Sequence, residues 1–347
     1  MLISPVLITT VKDQFYIQWH ITNLCNLRCK HCYQEDFSKD NDLDWSGLKK
    51  ISDNILATVQ EWDKKACIHL TGGEPLLKPE LFLLLDELNQ KPVVEELGII
   101  TNGLLMDREV VRRLSAFSKL KKVKFSLDGA DAEINDSIRQ KGAFEKVIQN
   151  VSLIKKTGDF EVLFMFTVMR RNFKNLQSLF KLCQDLAIDG LIIERFIPLG
   201  RGRGILEEVL DQDQWKELVE TLLDYFSIPT GGNDVLPYQA FQVIFRRGEP
   251  ELLGAPCVIG MDGLCIMPEG SVFPCRRFPI SIGNLINDSL KQIWEGSEIL
   301  EKLRGKENLK GKCGRCAIKD CRGCRSLALA LTGDYLGEDP HCLYHLK

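Results

Sequence analysis

The chain has no apolar run approaching the ~20 residues that a membrane-spanning helix needs. Its start, Met1-Leu2-Ile3-Ser4-Pro5, has neither a basic stretch nor a small-residue cleavage site, so no secretory signal is read there. Charge of one sign is also scarce. The formal net charge is −3 over 347 residues, which gives no electrostatic case for a nucleic-acid partner or an anionic membrane. The short basic groups Lys121, Lys122 and Lys124, and Arg276 and Arg277, are too small for polyanion patches and read as solvated faces. Internal repeats and low-complexity tracts are absent. Histidine is sparse: His20, His69, His341 and His345 have no partner at ligand spacing, and His31 abuts Cys32, poor geometry for sharing a metal with it.

Cysteine is abundant. Thirteen occur in a chain that is 44% hydrophobic, apolar enough to bury one large core beside a smaller domain. Disulfides at this density suit small secreted domains, and a chain without a secretory signal reads as cytoplasmic. Metal binding is therefore the leading explanation.

Strand-like and helix-like patterns alternate through the first two hundred residues. Strands are expected at residues 15–22, 66–71, 97–101, 123–127, 162–169 and 191–197. Helices are expected at 45–62, with Asp44 as cap, and at 80–88, 108–117, 144–156, 176–186 and 212–225. Six strand–helix units imply a parallel sheet covered by helices and fall short of a closed eightfold barrel. The fold class expected is α/β, a partial (β/α)6 barrel followed by a small cysteine-rich domain. Its divisions are residues 1–226 for the barrel, 227–256 for a connector with one helical stretch near 238–245, and 257–347 for the second domain. The unusual loops all follow strands: the cysteines, Gly72-Gly73-Glu74-Pro75, Thr101-Asn102-Gly103, Asp128-Gly129 and Gly200-Arg201-Gly202. In parallel α/β folds the carboxyl ends of strands carry the site, so these loops share one face.

Cys25, Cys29 and Cys32 form C-x3-C-x2-C on one loop. Three thiolates can hold three corners of a cubane cluster and leave the fourth iron open. Zinc would want a fourth ligand at similar range, and a redox C-x2-C pair would not need Cys25. The spacing favours iron–sulfur.

The segment Cys25-Asn26-Leu27-Arg28-Cys29-Lys30-His31-Cys32-Tyr33 resembles the signature loop of the radical S-adenosylmethionine (SAM) superfamily. The resemblance implies that the open iron chelates SAM. One electron then yields methionine and a 5′-deoxyadenosyl radical that abstracts a substrate hydrogen, chemistry carried by the cofactors. Gly72-Gly73-Glu74-Pro75 resembles the family loop receiving the methionyl ammonium group, with Glu74 as acceptor. Ser126-Leu127-Asp128-Gly129 resembles the segment contacting the ribose and methionyl end, and Arg139 stands where relatives bind the methionyl carboxylate. Asn102 and Arg195 match less specific cofactor segments; for Arg195 a surface ion pair is the competing reading.

Cys257, Gly270 and Cys275 fit C-x12-G-x4-C, and Cys313, Cys316, Cys321 and Cys324 fit C-x2-C-x4-C-x2-C, with Cys342 beyond. This is similar to the SPASM-type auxiliary domain of peptide-modifying radical enzymes, with Cys265 as an eighth thiol. The resemblance implies two four-thiolate clusters: Cys257, Cys265, Cys275 and Cys324 for one, and Cys313, Cys316, Cys321 and Cys342 for the other. With the first cluster this makes three [4Fe–4S] clusters. Structural zinc is the alternative for the Cys313–Cys324 run. Cys67 and Cys183 lie in apolar elements and read as core.

The expected activity is radical modification of a ribosomally made peptide by crosslinking, epimerisation or oxidation. The alternative is trimming of side chains in haem-type tetrapyrrole synthesis. Sulfatase maturation fits less well, because Arg276 stands where an aspartate would follow Cys275. A non-enzymatic electron carrier or zinc-binding adaptor is the reading of another class. An electron donor such as a flavodoxin or ferredoxin is expected. So is a separate leader-recognition protein, since the fourteen residues before residue 15 are too few for a module with its own core, rarely found below ~40 residues.

Overall fold

The computed structural model describes residues 13–228, 240–245, 250–255, 257–318 and 321–343. Among them, strand and helix alternate as β1 (Gln14–His20), α1 (Trp45–Glu61), β2 (Lys65–Thr71), α2 (Leu81–Asn89), β3 (Val94–Thr101), α3 (Arg108–Leu114) and β4 (Leu120–Ser126). Then follow α4 (Ala132–Ile138), α5 (Ala143–Thr157), β5 (Glu161–Val168), α6 (Leu176–Asp185), β6 (Gly190–Arg195) and α7 (Gln212–Tyr225). The remaining strands are β7 (Ala240–Ile244), β8 (Glu251–Ala255), β9 (Gly263–Ile266), β10 (Ser271–Phe273) and β11 (Gly283–Asn284). They are followed by α8 (Leu290–Gly296), α9 (Glu298–Arg304), α10 (Gly311–Arg315) and α11 (Arg325–Thr332). No helix among the described residues is long and apolar enough to cross a membrane.

β1 to β6 pair in parallel in sequence order, as the six units imply. The sheet does not close. β7 and β8 add antiparallel beyond β6, and β9, β10 and β11 continue from the other side of β1, in the order β11-β10-β9-β1-β2-β3-β4-β5-β6-β7-β8. The cysteine-rich third is thus joined to the barrel by strand pairing, Tyr16 opposite Gly263 and Gln18 opposite Cys265.

The connector holds a strand where a helix was expected. Residues 238 and 239 lie outside the described residues, but Ala240–Ile244 runs antiparallel to β6, with Phe241 and Val243 buried and Gln242 on the other face. The alternation has period two, and pairing to β6 satisfies its backbone.

Each barrel strand buries one face under helices. Phe15, Ile17 and Trp19, then Ala66, Ile68 and Leu70, then Val123 and Phe125 belong to the main apolar core. The opposite positions are polar: Gln14, Tyr16 and Gln18; Cys67 and His69; Lys122 and Lys124. With Ile100, Met165 and Ile192 from the other strands they line a chamber of mixed character inside the barrel, and the hydrophobic core lies between sheet and helices.

Candidate active site

The cysteine loop is built into the mouth of the barrel by its neighbours. The Gly73 N–H donates to Thr22 O (2.8 Å) and the Glu74 N–H to Leu24 O (2.7 Å). The Gly202 N–H donates to Cys32 O (3.0 Å), and the Lys30 N–H to Ile138 O (2.9 Å). These approaches are close: a Cβ on Gly73 would lie 2.3 Å from Leu24 O, so no side chain fits there.

Cys25, Cys29 and Cys32 line one cavity with Gly72, Gly73, Asn102, Ser126, Arg139 and Arg195, a space of about 970 Å³ counting its open mouth. The structure thus brings together the three loop cysteines and six of the nine cofactor residues expected from the sequence. Asn102 Nδ2 lies 3.8 Å from Cys25 Sγ and donates to Asn26 Oδ1 (2.7 Å). Arg139 Nη1 lies 3.9 Å from Cys29 Sγ. Burial pushes the Cys25 thiol up to about 11, Cys32 to about 12, and Cys29 upward as well.

Glu74, Pro75 and Asp128 stand behind this wall. The Glu74 carboxylate is fully buried and accepts from Thr101 Oγ1 (2.8 and 3.0 Å), the Asn102 N–H (2.8 Å) and the Leu76 N–H (3.1 Å). Its visible work is to fix the loop that carries Asn102. Asp128 accepts from the Thr167 N–H (2.9 Å), faces Arg139 Nη2 at 2.7 Å and has His31 Nε2 at 3.4 Å. It aims Arg139 toward the cysteines. Arg195 is in an ion pair, but not a surface one: both it and Asp339 are 2% exposed, with Nη1 at 2.9 and 2.8 Å from the two carboxylate oxygens.

The thiols of the cysteine-rich region fall into two groups. Burial pushes Cys257 up to about 12, with Cys275 and Cys324 close enough to add to it. Cys265, 1% exposed on β9, is raised by burial and then by Cys275. Cys321 is raised to about 11 by burial, with Asp339, Cys313 and Cys316 adding. Asp339 joins the groups: its N–H lies 3.4 Å from Cys313 Sγ, its Oδ2 accepts from the Cys324 N–H (2.8 Å), and its carbonyl accepts from the Cys342 N–H (3.0 Å).

Sequence reasoning missed a second, deeper cavity. It runs from Cys67, His69 and Glu96 to Cys257, Cys275 and Cys324, and shares Gln18, Glu194, Arg276 and Arg277 with the first. Cys67 is buried as expected but lines this chamber, whereas Cys183 sits in the apolar core. The basic pairs are not solvated faces. Lys122 and Lys124 point inward from β4, Arg276 pairs with Glu194 and donates to Gln18 Oε1 (2.9 Å), and Arg277 donates to Arg195 O (2.6 Å). Polar residues at every second position of β1 and β4 were the available signal. Cys67, His69 and Glu96 place three donor atoms within 4.8 Å of one another, but Lys122 and Lys124 set two ammonium groups on that trio, which opposes a cation.

A parallel sheet bearing three thiols on one loop at its carboxyl ends, with glycine, asparagine and arginine around them, defines an α/β enzyme that builds a metal centre beside a small-molecule site. The comparisons specify it. The radical SAM superfamily model matches residues 19–183, and an iron–sulfur cluster-binding domain model matches 257–325. An AdoMet-dependent heme synthase of Methanosarcina barkeri is 31% identical, covering 94% of this chain and 96% of its own. A mycofactocin maturase of Mycolicibacterium smegmatis is 29% identical, covering 94% and 82%. The solved structure of anSMEcpe with bound AdoMet superposes with a TM-score of 0.73 at 22% identity, covering 95% and 94%. The chain belongs to the radical SAM superfamily and carries its SPASM iron–sulfur domain; it is an enzyme that uses SAM and iron–sulfur chemistry.

Proposed function

We propose that this enzyme directs its radical at a haem-type tetrapyrrole and trims side chains that carry carboxylates. The observation that carries the reading is the chamber: it adjoins the SAM cavity, has cations on its walls, and contains one, Lys124, without a carboxylate in ion-pair reach among the described residues. Tetrapyrroles of this type present several carboxylates. The heme synthase relatives, matched over nearly the full length of both chains, support the same reading.

The cofactors fit the residues present. Cys25, Cys29 and Cys32 face one cavity and would hold the first cluster, which when bound supplies the electron that cleaves SAM. Gly72 and Gly73 would present backbone to the methionyl end of SAM, and Asn102, Ser126 and Arg139 line the same cavity. Cys257, Cys265, Cys275 and Cys324 would hold one auxiliary cluster and Cys313, Cys316, Cys321 and Cys342 the other. Reducing equivalents would come from a flavodoxin or ferredoxin.

A second reading, radical modification of a ribosomally made peptide with a separate leader-recognition protein, is supported by the similarity to the mycofactocin maturase. One experiment separates them. The reduced, anaerobically reconstituted protein is given SAM and either a porphyrin with four propionate side chains or candidate precursor peptides, and products are weighed by mass spectrometry. Mass loss from the porphyrin together with 5′-deoxyadenosine supports the first reading. Modification of a peptide with the porphyrin untouched rejects it.

A further inference from the structure

We propose that Lys124 is an anion seat in the floor of the chamber, there to receive a carboxylate of the substrate; this rests on the tetrapyrrole reading and gives it a residue. Lys124 sits in register between Ile100 of β3 and Leu163 of β5, on the face of β4 that carries Lys122 and Ser126. The neighbouring cations are already matched. Lys122 Nζ is 2.7 Å from Glu96 Oε2, Arg276 and Arg277 share Glu194, and Arg195 is held by Asp339. Lys124 has no such partner among the described residues. Its Nζ instead meets His69 Nδ1 at 3.1 Å.

The hydrogen bonds fix what that contact is. An ammonium can only donate, so Nδ1 accepts, and Nε2 carries the ring proton toward Glu96 Oε1 (3.1 Å). Tyr16 OH also lies 3.0 Å from this Nδ1, whose single lone pair the two donors share. His69 is held neutral, its pKa pushed down to about 3 by burial and then by Lys124. The ring lies where it does because Gly98 is opposite it in register; a Cβ there would stand 2.5 Å from His69 Cδ2. A neutral ring thus positions a charged amine without neutralising it.

A half-buried ammonium with no carboxylate in ion-pair reach among the described residues is costly, and methionine or leucine would fill the position without that cost. The His69–Glu96 arrangement orients the charge rather than cancelling it, and the open side of Nζ faces a chamber that already touches the SAM cavity. A ligand anion is the missing partner.

The test uses the full-length reconstituted protein with SAM bound and measures binding of the tetrapropionate porphyrin and of its tetramethyl ester by absorbance titration. The acid is expected to bind wild type, and the ester to bind it more weakly. Lys124→Met should weaken acid binding about tenfold to a hundredfold, the scale of one charge-assisted hydrogen bond. Lys124→Arg should recover most of it, and Lys122→Met, which removes a cation already matched by Glu96, should change it by no more than about threefold. Acid bound equally by wild type and Lys124→Met overturns the seat and leaves the tetrapyrrole reading standing. So does an ester bound by wild type as tightly as the acid, an arm that needs no variant to fold. Wild type that binds neither compound overturns both.

Discussion

Glu74 keeps its carboxylate out of water, and burial pushes its pKa up to about 7 against three groups that donate to it. Glu74→Ala would strand the Asn102 N–H and the Thr101 hydroxyl. A drop of about 1–3 kcal/mol in stability is expected per donor left unsatisfied, with weaker SAM binding as the Asn102 loop loosens. Thermal melting and SAM titration check this; unchanged melting with lost SAM binding would instead give Glu74 a direct role. Lys124 supplies a pH signature. Its pKa is pushed down to about 8, chiefly by burial and then by Lys122. The groups facing it titrate elsewhere: His69 at about 3, Glu96 and Glu194 at about 2, Cys67 at about 12, and Tyr16 and Arg276 higher still. Only protonated Lys124 attracts an anion, so porphyrin affinity should hold from pH 6 to about 8 and fall above it. A flat profile to pH 9.5 contradicts the assignment. The cysteine loop was legible because its spacing is itself the chemistry. Lys124 was not, because three basic residues within four positions look alike on a solvated strand and on one facing an internal chamber.

At the scale of elements, the six strands and their helices were readable from periodicity, and α7 was expected within the bounds found, residues 212–225. α4 escaped notice: seven residues, capped by the Asp131 side chain on the Ile134 N–H (2.9 Å), are too short for a helical period. Yet it places Arg139 at its C-terminal end. Residues 238–245 read as a helical stretch, but β7 alternates with period two over only five residues, too few for the two periods to be told apart. Besides the pairing of β9 with β1, the end of β6 ties barrel to cysteine-rich region through the Arg195–Asp339 pair, and there Arg195 also stacks over Trp215 (4.3 Å). Replacing Arg195 by Met leaves Asp339 buried with its charge unmatched, a cost of about 3–5 kcal/mol. Since Asp339 also holds Cys313 and Cys324, that variant should melt lower and lose auxiliary iron before it loses the iron of the first cluster. Variable-temperature iron spectroscopy checks the order.

In the whole molecule, the sequence suggested a barrel, a connector and a cysteine-rich domain in series, while strand pairing makes one sheet of them. β9 lies against β1, so a chain ending at residue 256 would expose an unpaired edge of the strand that carries the cysteine loop. Such a fragment is expected to aggregate or be proteolysed readily; a protease-resistant monomer that binds SAM would contradict this. The full chain, with eleven cysteines assigned, should hold about twelve irons, and Cys25, Cys29 and Cys32 replaced together by Ala should hold about eight and form no 5′-deoxyadenosine. Iron assay and nucleoside chromatography decide it. What the sequence could not show is why the pieces need each other, because pairing partners far apart along a chain leave no periodic trace.

The central place of β1 also bears on biosynthesis. Tyr16 emerges from the ribosome early and Gly263 late, at a separation of about 250 residues, or some tens of seconds of translation at ~5–20 residues per second. Throughout that interval one edge of β1 waits for its neighbour beside the cysteine loop. High contact order of this kind slows folding and invites nascent chains to pair with one another, so holdase chaperones and a low expression temperature should raise the yield of soluble protein.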